Sequence, residues 1–238
     1  MKRIGFSTGA IAKGDFQSAL ARLRLFNVSV VELSALRLEE LDSLIDSLPG
    51  LNLDSFDFVS LHAPSGFSVV YERHVLDRLR AVVDQGIPVV VHPDVISTPR
   101  DWDALGSMLL IENMDKRKSV GRTARDLALL FSQFPDAGLC FDIGHARQVD
   151  PTMTEAQLIL ETFSERLREV HVSEVNTSSR HDPLSFYAIC AFRSVSALIP
   201  DSVPIVLETL IDQGQSDILT EIDKAQKALT PACLWAAG

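Results

Sequence analysis

At 238 residues the chain has the length of one large α/β domain, and 46% hydrophobic with 23% charged residues supplies enough apolar mass for a full core. The formal net charge of −10 excludes a general attraction for nucleic acid or anionic membrane. A metal-lined groove stays compatible with it, because a bound divalent ion cancels carboxylate charge where it sits. Cys140, Cys190 and Cys233 are odd in number and widely spaced, which fits thiols in a reducing compartment better than a disulfide framework. MKRIGFSTGA has no signal-peptide core, and no apolar run approaches the ~18 residues needed to span a bilayer. The expectation is a cytoplasmic protein without membrane contact.

The chain alternates strand-like and helix-like segments. Strands are predicted at 2–7, 28–33, 57–62, 87–92, 108–113, 138–142, 168–173 and 204–208, as short runs apolar on both faces. Amphipathic stretches at 15–25, 37–47, 71–85, 121–133, 153–166, 183–199 and 215–229 fill the intervals. Pro88, Pro135 and Pro204 stop helices before strands, while Asp150-Pro151 and Asp182-Pro183 read as an N-cap and first helical residue. Eight strands with alternating helices predict a single-domain (β/α)8 TIM barrel over 1–238. Its fourth βα unit is shortened: 15 residues separate His92 from the fifth strand, leaving room for one short helix around Trp102–Leu105.

Histidines and acidic residues gather at the C-terminal ends of these strands, in VSLHAP, VVVHPD, LLIENM, LCFDIGH, REVHVSEVN and PIVLETL. That is where a parallel barrel builds its site. Glu112, Asp142, His171 and Glu208 end strands five to eight and should share one funnel. Three carboxylates and an imidazole suit Mn²⁺, Mg²⁺, Co²⁺, Fe²⁺ or Zn²⁺, since buried carboxylates are costly without a cation. His62, His92 and again Glu112 offer a second position beside the first, so one or two ions per chain are expected. His145, Arg180 and His181 could hold a third ion or hydrogen-bond a substrate. Glu32 ends strand two and reads equally as a sugar-hydroxyl contact or a cap. Phe67 is the best candidate for a lid, Arg117 a candidate phosphate contact, and His74 alone falls on a helix outside the pattern.

The pieces HAP, HPD, ENM, FDIGHA, HVSEVN, SRHDPL and LET, in this order, resemble the xylose-isomerase-like TIM barrels. That superfamily holds sugar-phosphate isomerases, ketose 3-epimerases and endonuclease IV-type nucleases. The resemblance implies that Glu112, Asp142, His171 and Glu208 form the epimerases' single-metal quartet, with Glu112 and Glu208 as the acid–base pair. It gives His145 a substrate contact and makes Glu174 and Asn176, in HVSEVN, part of a substrate-binding stretch. The arginine that normally follows is Thr177 here. Against the nuclease, His62 and His92 match ligands of a first zinc, and His145 and His181 of a third. The aspartate expected two residues before His181 is Ser179, so a complete three-zinc site is not expected.

The expectation is a metal-dependent isomerase or epimerase of a sugar, sugar phosphate or related hydroxy-carbonyl compound, working by proton transfer through a metal-stabilised enediolate. Two alternatives stay open: a two-metal phosphodiester or phosphate hydrolase, and a multinuclear-iron oxidoreductase or non-catalytic descendant of the barrel. A small-molecule substrate and no nucleic-acid partner are expected; both a monomer and a homo-oligomer fit the sequence.

Overall fold

The computed structural model describes residues 2–211 and 215–231; Cys233 lies outside the described residues. Eight parallel strands close into a barrel: β1 (Ile4–Ser7), β2 (Val30–Ser34), β3 (Phe58–His62), β4 (Val89–Val91), β5 (Leu109–Glu112), β6 (Gly138–Asp142), β7 (Leu167–Val172) and β10 (Ile205–Leu207). The seam closes where Ile4 pairs with Ile205 and Phe6 with Leu207. Each predicted strand is present: 138–142 has the predicted bounds and the others are shifted by a residue or two at one or both ends. Gly5 lets the barrel close tightly, since a Cβ there would stand 1.7 Å from Val30 O.

The helices α1 (Thr8–Ala12), α2 (Phe16–Arg24), α3 (Leu38–Ser47), α4 (Glu72–Val83), α5 (Pro99–Asp103), α6 (Ala124–Gln133), α7 (Ile143–Val149), α8 (Thr154–Thr162), α9 (Phe186–Arg193) and α10 (Gln215–Leu229) follow the strands in turn. The short helices α1 and α7, at the barrel mouth, have no counterpart in the sequence reading. Two predicted caps move. Helix α8 starts after Met153 and α9 after Ser185, because Asp150 closes a turn on Thr152 and Glu155 while Asp182 joins a two-stranded hairpin. That hairpin, β8 (Glu174–Val175) with β9 (His181–Asp182), rises from the end of β7.

The fourth unit is short, as expected, with the five-residue α5 as its α-helix. Buried Glu72 of α4 holds it in place: its Oε1 accepts from Ser97 N at 2.6 Å, Thr98 N at 2.9 Å and Trp102 Nε1 at 2.8 Å. Most apolar residues pack between strands and helices, while Val90, Leu110 and Cys140 form a small separate cluster inside the barrel. Successive strand residues face opposite ways, so residues two apart share the interior. The interior is therefore stacked: Val90, Leu110 and Cys140 are followed, two positions on, by His92, Glu112 and Asp142 at the mouth.

Candidate metal centre

Glu112 stands at the middle of the site. Its Oε2 lies 3.1 Å from both His62 Nε2 and His92 Nε2, and its Oε1 3.2 Å from His145 Nδ1 and 3.8 Å from His171 Nδ1. The sequence explains each position. His62 ends β3 and donates Nδ1–H to Ala63 O at 2.7 Å, which turns Nε2 toward Glu112. Asp142 ends β6 and caps α7, its Oδ1 accepting from His145 N at 2.6 Å. Asn113 bridges β5 to β6: Nδ2 donates to Asp142 O and Oδ1 accepts from Asp142 N, each at 2.8 Å. The sequence reading gave Asn113 no role, although ENM contains it.

Glu112, Asp142, His171 and Glu208 each offer a ligand atom within 4.8 Å of the others; His62, His92 and Glu112 form a second such group at the mouth, and Glu32, Glu169 and His171 a third beneath it. Asp142 Oδ2, His171 Nδ1 and Glu208 Oε2 are buried with no hydrogen-bond partner among the described residues. Three converging carboxylates with bare acceptor atoms are expensive in a low-dielectric interior and fit a divalent ion. The donor set thus suits a metal, and the two groups at the mouth share Glu112.

Burial is the largest influence on these titrating groups and disfavours their charged forms; their neighbours set the final direction. Against burial, Glu32 and Glu112 lift His62 to about 9, and Asp142 and Glu112 lift His145 to about 10. Glu112 is held well below the usual carboxylate range despite burial, chiefly by His92 and the other imidazoles. Glu208 goes the other way, pushed up to about 8 by burial together with Asp142 and Glu112. In the metal-free chain one glutamate is thus ionised while the other holds its proton at neutral pH.

A cavity of about 350 Å³ opens above the cluster, lined by His62, His92, Glu112, His145, His181 and Glu208. His181 Nδ1 stands 2.8 Å from Ser173 Oγ and 3.3 Å from Glu208 Oε2, so the hairpin brings it to the cluster. Exposed Arg180 lines the rim, as do Arg117 and Lys118, which pair with Asp115 at 2.8 Å and Asp94 at 2.5 Å.

Asp142 and His171 lie in the cluster without lining the cavity, and other residues singled out in the sequence belong to neither the cavity lining nor the quartet. Glu32 is fully buried beneath the cavity, with Oε2 3.1 Å from His171 Nε2. Glu174 ties the hairpin to its neighbours, binding Arg147 Nη1 at 3.0 Å and Ser185 N at 2.8 Å. Asn176 shapes the hairpin turn through Asp182, Ser178 and Arg180. Phe67 packs against the core instead of covering the mouth. His74 pairs with Asp42 on the outer surface, outside the site. Glu169, absent from the sequence reading, is buried beside His171; its place two residues before that histidine was the available signal.

Endonuclease IV from Thermus thermophilus matches with a TM-score of 0.63 and 20% identity, over 95% of this chain and 98% of that one. A 3-keto-D-glucoside 4-epimerase from E. coli matches with TM-score 0.58 and 13% identity, over 96% and 99%. A xylose isomerase-like TIM barrel protein from Mycobacterium smegmatis, solved in complex with magnesium, matches with TM-score 0.56 and 13% identity, over 92% and 91%. These likenesses show a shared TIM-barrel fold. No protein-family model and no curated protein sequence matches the chain.

Proposed function

We propose that the chain is a metal-dependent isomerase or epimerase of a sugar, sugar phosphate or related hydroxy-carbonyl compound. The observation carrying this reading is the placement of two glutamates on one imidazole: Glu112 Oε1 and Glu208 Oε1 lie 3.8 and 3.6 Å from His171 Nδ1, at the base of a small cavity. Glu112, Asp142, His171 and Glu208 would hold the ion, which supplies Lewis acidity that makes a C–H beside a carbonyl easier to deprotonate. Glu112 and Glu208 are the acid–base pair: one takes that proton and the other, or the same one, returns it. Return by the second glutamate to the other face of the same carbon inverts it, whereas return by the first to the neighbouring carbon, with the hydroxyl proton passing to the former carbonyl oxygen, exchanges the carbonyl and hydroxyl positions. His145, His181 and Arg180 orient substrate hydroxyls or an anionic group at the rim. A small-molecule substrate also fits the paired state of Arg117 and Lys118, which leaves few cations for a polyanion.

The test is solvent exchange. Manganese-loaded protein in D₂O, given a panel of ketoses, aldoses and 3-keto sugars, should place deuterium beside the carbonyl, detected by NMR, and Glu208→Gln should fold but lose it. A second reading, two-ion phosphodiester hydrolysis, is favoured by the His62–His92–Glu112 group. Incision of an abasic-site duplex at physiological salt, abolished by Glu112→Ala, with no exchange into any sugar would replace the first reading with the second.

A further inference from the structure

Beneath the candidate centre lies a second buried layer. In β2, β3 and β7 the residues facing inward below the mouth include Glu32, Ser60 and Glu169, and none has solvent exposure. Glu32 Oε2 is 3.1 Å and Glu169 Oε1 3.5 Å from the same atom, His171 Nε2. Glu169 Oε1 also accepts from Ser60 Oγ at 2.9 Å, whereas neither Glu32 oxygen nor His171 Nε2 has a hydrogen bond to any described residue, so Glu32 meets the ring as a close charge at 3.1 Å. His171 therefore stands between two sets of acids, with Nδ1 toward Glu112 and Glu208 and Nε2 toward Glu32 and Glu169.

We propose that Glu32 is a positioning residue that fixes the tautomer and ring orientation of His171, so that Nδ1 is presented bare to a metal ion. The proposal rests on reading Glu112, Asp142, His171 and Glu208 as a metal quartet. A neutral imidazole carries one N–H, and a ligating nitrogen must offer its lone pair. With the proton on Nε2, that N–H faces the Glu32 carboxylate at ion-pair distance, 3.1 Å, and Nδ1 is free to ligate. In the other tautomer an N–H would point into the quartet, while the Nε2 lone pair would face two carboxylates with no donor between them. Both ends of that arrangement are unfavourable inside a protein. A carboxylate behind the ring also raises its basicity as a ligand. Glu32 carries this role ahead of Glu169 because it is nearer the nitrogen and has no competing donor, whereas Glu169 is already engaged by Ser60.

Manganese affinity and ion count per chain are measured for the wild type, Glu32→Ala, Glu32→Gln, Glu169→Gln and Asp142→Ala, with folding checked by circular dichroism in EDTA. The ¹⁵N shifts and one-bond N–H coupling of His171 in the zinc-loaded wild type report its tautomer directly. Glu32→Ala should bind at the mouth about 10- to 100-fold more weakly with an unchanged number of sites. Glu32→Gln should recover most of that loss, since its amide oxygen still accepts, and Glu169→Gln should change affinity less than Glu32→Ala does. A purely structural role for Glu32 would lower the melting temperature and leave affinity and tautomer alone.

A folded Glu32→Ala with wild-type affinity overturns the proposal. So does loss of one whole site in Glu32→Ala, which would make Glu32 itself a ligand. A proton on Nδ1 of His171 overturns it even if Glu32→Ala does not fold. The two readings fail separately: if Asp142→Ala also binds as the wild type does, the metal quartet falls, whereas normal binding by Glu32→Ala alone removes only the positioning role.

Discussion

Because Glu112 belongs to both ligand groups at the mouth, neutralising it should cost the protein both ions held there, whereas changes at either side should cost one. Glu112→Gln keeps the side chain's shape but replaces one oxygen by an NH₂, which faces imidazoles that stand 3.1 to 3.8 Å from the carboxylate. At free metal 100 times the dissociation constant, each ion adds about 2.7 kcal/mol to the folded state. For a 238-residue chain, about 1 kcal/mol corresponds to roughly 2–4 °C of melting temperature. The wild type should therefore melt about 5–11 °C higher per bound ion than in EDTA, by the same two relations. Glu112→Gln should lose nearly all of this shift. His92→Ala should keep the quartet's share, and Asp142→Ala the share of the His62–His92–Glu112 group. Thermal melts with manganese or EDTA, read beside elemental analysis, check this. A full metal-dependent shift in Glu112→Gln would refute the shared carboxylate; loss of the entire shift in both His92→Ala and Asp142→Ala would show one indivisible site.

In EDTA, stability should fall with rising pH. His62 and His145 are raised from 6.5 to about 9 and about 10, so the stability they contribute is full below pH 6.5 and is lost as pH climbs through those values. A melting temperature in EDTA that stays constant from pH 7 to 10 would contradict this, and metal should flatten the decline because ligation favours neutral rings. Glu72→Ala should cost about 2–5 kcal/mol in urea unfolding, since three donors around a buried carboxylate lose their acceptor. A cost under about 0.5 kcal/mol would remove Glu72 as the anchor of the shortened fourth unit, relative to the usual worth of such bonds.

The barrel was legible because most of its strands are short β-branched or leucine-rich runs, apolar on both faces, that recur between amphipathic stretches. The mouth was legible because a polar residue ending such a run has few reasons to be there. Depth was harder to read. Glu32 and Glu208 look alike in sequence, each an acid in or just after an apolar run, yet one lies beneath the floor and the other opens to the cavity. What separates them is the stagger between neighbouring strands: Glu32 is level with Ser60, while Ser34, two residues on, is level with His62. No single segment encodes that register; it emerges when eight strands close. Glu174 is the opposite case. It follows the end of β7, where it meets Arg147 and the start of α9 instead of the cavity. The family-like stretch HVSEVN drew attention to that glutamate, but within the strand the alternation that turns His171 inward had already assigned the inward place below it to Glu169.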